Sequence, residues 1–492
     1  MSSKSPYVVG TSDPSTGERN TALDSPDPAS MGEVLYLIGA HCPDAMHEPA
    51  RTRLDRARIC FIRGNIHDAL NFVNDALQEL DDSTPAHRDV LAFRMFVGAM
   101  LGESIEQWVR ARGEGDDIDS LEVVALCLEA NEAWHVGDLT RGLWLSQTAA
   151  KKSDGVIPMW RLYAHLLLAK KLLDIGVSQP ALRVISDVRT IITGSGLFGF
   201  SSIPPALLAV LDLQEGRFGA AIEKSEEALG ISVQQSSAVS VKLALSVSAM
   251  AYLGQGDQES AAKALGEYHS HIRRYAYPDS TARAAVAEIA IIAAQEGPGP
   301  AVEQIHATWR LLASESGCFV EDPARAAWLV ALARRAGDMA LARRLLQALE
   351  RLARNNPGVP VLESAADHAR VALSGGSPGV LTPLDGAVPL LRETSASDPV
   401  PPGAHARTPF APPTAAPSAD VTRSRVASLT PREIQIARHA GRGLTNQQIA
   451  NTLELSPHTV SFHLRNVFRK LSITTRVMLS PHLAQFDSVE SA

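Results

Sequence analysis

At 492 residues and 45% apolar, the chain exceeds what one hydrophobic core organises, so at least two domains are expected. Cys42, Cys60, Cys127 and Cys318 form no CxxC pair and no Cys/His cluster, which excludes a zinc site or disulfide framework and fits a reducing cytoplasm. Net charge is −8, but nine Lys or Arg between Arg423 and His482 face only Glu433 and Glu454; that segment carries +7 and the remainder −15, so the basic end suits an acidic polymer.

In chain order, residues 1–31 are polar and rich in Ser, Thr and Pro, are expected to be disordered, and lack the apolar centre of a secretion signal. Residues 32–373 then read as helix after helix, with no convincing alternation of β-branched residues, so the fold class is all-α. No apolar run approaches the roughly 18–20 residues a membrane span needs, and the stretch from Ala284 to Ala294 is interrupted by Glu288. Ala342, Leu345, Leu346 and Leu349 illustrate the amphipathic spacing.

Glycines recur at Gly137, Gly176, Gly216, Gly256, Gly297 and Gly337, with separations of 39, 40, 40, 41 and 40. Seven residues before five of them stands Ala130, Ala169, Ala209, Ala249 or Ala290; five residues after five of them stands Gly142, Ala181, Ala221, Ala261 or Ala342. Ala57, Gly64, Ala69 and Ala76 make an earlier unit, whereas the Gly102 region and Val302 depart from the pattern. Helical hairpins need this combination: small residues where helices cross closely, and glycine where the turn requires positive φ. The pattern resembles the tetratricopeptide repeat, stretched from about 34 to about 40 residues, as in the superhelical sensor domains of large MalT-like regulators. The resemblance implies a superhelical array of hairpins whose concave surface takes a protein, peptide or small effector.

Residues 374–426 shift to Pro, Gly, Ser, Thr and Ala, including SGGSPG and DPVPPG, and read as a semi-flexible linker. Residues 427–486 regain strong helix punctuation. Thr430, Pro431 and Glu433 supply cap, first-turn proline and capping-box acid. Thr445 and Gln448 repeat the box, and Ser456 with Pro457 opens a third helix running to Leu471. Two short helices joined by Glu454, Leu455 and Ser456 make a helix-turn-helix. On the third helix Val460, His463, Val467 and Leu471 are expected to face Ile436, Ile449 and Leu453, leaving His458, Ser461, Phe462 and Arg465 toward a DNA groove. Arg465 suits bidentate pairing with guanine and Phe462 a thymine methyl. Thr445, Asn446, Gln447, Thr459 and Ser461 suit phosphate contacts, and Arg469 reaches backbone farther along.

The segments LTPRE and GLTNQQIANTLELSPHTVSFHLRNVFRKL, followed by TTR, resemble the LuxR-type helix-turn-helix family. That resemblance implies a four-helix DNA-binding domain, double-stranded promoter DNA as ligand, and activation of pathway-specific genes such as those of secondary metabolism. It also implies RNA polymerase and a second copy of the chain as candidate partners. Arg far exceeding Lys agrees with a GC-rich genome. His458 and Ser461 stand where the family often carries Lys, which weakens phosphate binding; Pro481 interrupts the expected fourth, dimer-forming helix. His439, in place of the usual Leu, is expected to be partly buried.

Enzymatic readings find no support. No lysine follows a glycine, so the ATPase loop GxxxxGK[ST] is absent. Asp81 and Asp82 follow a helical pattern rather than the strand of a receiver domain. His269 and His271, two apart on a helix, point in different directions and read as a solvated helix end. No cofactor or metal is expected. The competing class is an interaction scaffold tethered to nucleic acid by its basic end.

Overall fold

The computed structural model describes residues 48–81, 84–104, 119–275, 282–309, 317–375, 429–442, 444, 446–453, 455–471 and 479. The expectations for residues 1–31, and for the linker beyond Gly375, fall outside this set. Among the described residues there is no strand, in keeping with the all-α reading. The first part comprises α1 (Glu48–Ile62), α2 (Ile66–Leu77), α3 (Pro85–Met100), α4 (Ser120–His135), α5 (Leu139–Lys152), α6 (Pro158–Asp174), α7 (Ser178–Gly194), α8 (Ile203–Gln214) and α9 (Phe218–Gln234). It continues with α10 (Val241–Gln255), α11 (Gln258–Tyr275), α12 (Ala282–Gln295), α13 (Pro298–Ala307), α14 (Gly317–Glu321), α15 (Pro323–Arg335), α16 (Met339–Asn355) and α17 (Pro360–Ser374).

These helices pair into hairpins, α1 with α2, α4 with α5, and onward to α15 with α16. The periodic glycines are the turns: Gly64, Gly137, Gly176, Gly216, Gly256, Gly297 and Gly337 all have φ between +73° and +93°. At Gly137 its own N–H donates to the Trp134 carbonyl (3.1 Å) and the Asp138 N–H donates to the Ala133 carbonyl (2.8 Å). This double closure, which needs a left-handed residue, recurs at Gly176, Gly216, Gly256 and Gly337. Asp138 then caps α5 by accepting from the Arg141 N–H (3.1 Å), as Asp338 caps α16 through Leu341 (2.8 Å).

The small residues mark the crossings. Ala130, Ala169, Ala209, Ala249, Ala181, Ala221, Ala261 and Ala342 are all fully buried. At Gly142 even a Cβ would come within 2.9 Å of the Trp134 ring and 3.0 Å of the Ala130 carbonyl oxygen. At the irregular Val302 the fully buried small residue is its neighbour, Ala301.

The hairpins build two layers. The first helix of most pairs is buried on every side: α10 buries Ala244 through Ala251 without a break, and α15 buries Arg325 through Ala333. The second helices are amphipathic, so α16 buries Leu341, Ala342, Leu345, Leu346 and Leu349 while Arg343 and Arg344 stay exposed. Contacts between units far apart in sequence show why the inner layer is enclosed. Asn356, at the end of α16, donates from Nδ2 to the Gly137 carbonyl (2.6 Å) and accepts at Oδ1 from the Leu139 N–H (3.0 Å). The Ala238 N–H donates to the Ile62 carbonyl (2.8 Å), and Lys170 Nζ of α6 lies 3.5 Å from Glu321 Oε1 of α14. The array therefore curls until its first hairpin meets the α9–α10 connection and its α4–α5 turn meets the end of α16. The concave side expected to lie open is, along these helices, packed interior.

That interior holds isolated polar groups. Lys171 is buried, bonds Asn131 Oδ1 (2.7 Å), sits 5.0 Å from the Trp134 ring, and is pushed down to about 7 by burial and by Lys170. Cys60 and Cys127 are free and buried, and burial raises them to about 11 and about 12, which leaves both thiols protonated and unreactive. Among the described residues no helix is long and apolar enough to cross a membrane, and no three metal-ligating side chains converge.

Candidate nucleic-acid interface

A separate core is formed by α18 (Pro431–Gly441), α19 (Asn446–Leu453) and α20 (Pro457–Leu471). Its capping box is the one the sequence spells: Thr430 Oγ1 accepts from the Glu433 N–H (3.3 Å) and Glu433 Oε2 accepts from the Thr430 N–H (2.8 Å). Ser456 caps α20 by accepting from the Thr459 N–H (3.0 Å), and the Thr459 hydroxyl lies 2.7 Å from that of Ser456. Between α19 and α20 the Leu455 N–H donates to the Ala450 carbonyl (2.8 Å), closing the tight turn of a helix-turn-helix.

Two ties within this unit have no counterpart in the sequence reading. Lys470 Nζ of α20 reaches Glu433 Oε2 of α18 at 2.6 Å. Burial alone would raise the Glu433 carboxyl, but the Lys470 and Thr430 hydrogen bonds outweigh it and hold the group below its usual range. Arg432 donates from Nη2 to the Leu453 carbonyl (2.8 Å), fastening the first turn of α18 to the last turn of α19. Spacing offers no signal for either contact, because each joins residues on different helices whose crossing is set by the core. His439 is half-buried as expected, and burial with Arg442 and Arg438 lowers its pKa.

The inward stripe of α20 differs by one member from the expected one. Val460 and Val467 are fully buried, with Leu464 and Leu471 almost so, whereas His463 is only half-buried. At about 100° per residue, positions 463 and 464 lie about equally far on either side of the Val460–Val467 line, so periodicity does not choose between them; the apolar side chain takes the core and the imidazole its border. Leu464 was legible as the residue four after Val460.

The expected contact residues gather on two helices. Asn446 and Gln447 open α19; His458, Thr459, Ser461, Phe462, Arg465 and Arg469 lie on α20; Thr445 is outside the described residues. By the same periodicity, positions 458, 462, 465 and 469 fall within about 50° of the line opposite the buried stripe, and 459 and 461 flank it. Pro481 and the expected fourth helix lie outside the described residues, although Leu479 is buried in this core.

Residues 427–482 match the family described as "Bacterial regulatory proteins, luxR family". The chain is 45% identical over 49 residues to the nitrate/nitrite response regulator protein NarP of Escherichia coli (strain K12), a stretch covering 10% of this chain and 23% of that protein. It is 48% identical over 50 residues to the nitrate/nitrite response regulator protein homolog of Haemophilus influenzae, covering 10% and 24%. Over 48 residues it is 42% identical to the transcriptional regulatory protein ComA of Bacillus subtilis (strain 168), covering 10% and 22%. The chain thus spans about a quarter of the length of these relatives. With the match and the α18–α20 geometry together, residues 427–482 are a helix-turn-helix domain of the LuxR family.

Proposed function

We propose that the protein is a sequence-specific, DNA-binding transcription regulator acting in the cytoplasm. In this reading residues 427–486 bind promoter DNA, residues 32–373 form a partner- or effector-binding module, and residues 374–426 tether the two. The observation that carries it is the buried stripe of α20, a helix held at its cap and packed along Val460, Leu464, Val467 and Leu471, so that helical periodicity sets positions 458, 462, 465 and 469 on the opposite line, where a recognition helix meets the major groove. The relatives' names, response regulator and transcriptional regulatory protein, point the same way.

Within the groove, Arg465 pairs with guanine and Phe462 packs on a thymine methyl, with His458 beside them. Thr445, Asn446, Gln447, Thr459 and Ser461 contact phosphate near the helix starts, and Arg469 contacts backbone farther along. Lys470, committed to Glu433, is not counted among the phosphate contacts. Activation of pathway-specific genes, with RNA polymerase contacted at the promoter and two copies on paired half-sites, completes the reading.

The test is a salt-titrated binding assay on many competing DNA sequences, with sites first mapped by chromatin immunoprecipitation. A regulator prefers its sites over bulk DNA by at least about 1,000-fold, and Arg465→Ala narrows that preference by roughly 5- to 100-fold at one base pair. Equal affinity for all sequences, varying only with salt, identifies a tethered scaffold and rejects the proposal.

A further inference from the structure

A cavity of about 730 Å³ opens where the curled array meets itself, between the α1–α2 turn and the α9, α10 and α11 helices. This is within the size range of small-molecule sites. One wall is apolar, with Leu229, Val241 and Leu245; the other carries Arg63 and Arg274 against a single acid, Glu267. The positive charge is felt locally, for the pKa of His271 in the same wall is pushed down to about 4 by burial and by Lys242 and Arg274.

Two further features set the cavity apart. Ser237, only 4% exposed, is among its lining residues, and its buried hydroxyl has no hydrogen-bond partner, a state that ordinarily costs free energy until a ligand or water satisfies it. Next to it Ser236 is the only described non-glycine residue with positive φ (+49°), closing α9 where the hairpin turns use glycine. A non-glycine residue in that region carries a conformational cost, and such residues cluster at functional sites. The seam is bonded by the Ala238 N–H to the Ile62 carbonyl, so an occupant touches the first hairpin and the α9–α11 region together.

We propose that this cavity binds a small organic anion, a carboxylate or phosphate monoester with a short apolar body, whose head meets Arg63, Arg274 and the Ser237 hydroxyl while its tail lies on Leu229, Val241 and Leu245. The inference rests on the reading of the repeats as an effector-binding module and gives that effector a chemical class. Bound there, the anion braces the closure of the array.

Calorimetric titration of the full-length protein with octanoate, octyl phosphate, octylamine and inorganic phosphate tests it. At least one of the two octyl anions is expected to bind saturably at one site, with their ranking telling carboxylate from phosphate, and octylamine to bind at least about tenfold more weakly. Arg63→Gln and Arg274→Gln, both on the rim, are each expected to weaken binding about tenfold, and Ser237→Ala several-fold, with unchanged thermal unfolding for Arg63→Gln. Failure of both octyl anions to bind, equal binding of octylamine, inorganic phosphate binding as tightly as octyl phosphate, or unaltered binding to Arg63→Gln overturns the proposal. The titration uses no DNA, so transcription from a bound promoter with and without the anion separates the two ideas. Saturable binding without a transcriptional response keeps the site and rejects the effector reading; absence of binding rejects the site alone.

Discussion

The inner helices of the array and the last helix of the C-terminal domain use one kind of element in opposite ways. α10, α12 and α15 are apolar around most of their circumference and are enclosed by neighbours from several units. Among its described side chains α20 buries Val460, Leu464, Val467 and Leu471, in a core of twelve buried residues among those described. The array spreads its stability over many interchangeable crossings and encloses most of the surface of its inner helices, with the start of α10 open to the seam cavity. The small domain concentrates stability in a few positions and keeps one helix face for binding. Damage is therefore expected to be total but local in the C-terminal domain, and graded in the array.

The strongest way to break this contrast is Val460→Asp. An unpaired carboxylate at a fully buried site is expected to cost about 4 kcal/mol or more, unfolding residues 427–482 and abolishing DNA binding while hydrogen exchange across α4–α16 stays as in the parent. Slowed exchange retained in α18–α20 would contradict the assignment of faces. Next comes Asn356→Leu, which removes the partners of the Gly137 carbonyl and Leu139 N–H. A loss of about 2–4 kcal/mol is expected, with faster proteolysis near the α4–α5 turn and unaltered DNA affinity.

Gly142→Ala forces a methyl against the Trp134 ring and should lower array stability by about 1–3 kcal/mol in denaturant unfolding. Gly266→Ala, where a Cβ meets nothing within 4 Å and the glycine is helical, is the control expected to be neutral or stabilising. The mildest effect is on pH dependence. Glu433 is held below its ordinary value, so it binds fewer protons folded than unfolded; its contribution is complete above the ordinary glutamate range and lost as pH falls through the lower folded pKa. Acid unfolding of the C-terminal domain should thus steepen below about pH 4.5, and Lys470→Met should move that loss to higher pH.

Much of this was written locally. The 40-residue glycine series was legible because each turn needs one left-handed residue, and the alanines were legible because each crossing needs one small side chain. The capping box at Thr430 and the cap at Ser456 were legible for the same reason: donor and acceptor are three residues apart and depend on nothing else. The inward stripe of α20 was read with one substitution, His463 for Leu464, because periodicity alone leaves about 100° between neighbours and burial decides between them. The reading of His269 and His271 as a solvated end failed for His271, which lines the cavity, because α11 is flanked there by the returning first hairpin.

The sequence by itself determined the elements, their turns, their caps and the LuxR-family character of residues 427–482, since these depend on residues within a few positions of one another. The tertiary structure alone decided that the array closes, that Asn356 bonds Gly137 and Leu139, that Lys470 is spent on Glu433, and that a charged cavity lies at the seam. The physical reason is accumulation. Each hairpin adds a small rotation set by its own crossing, and only the sum over the units determines which distant residues meet.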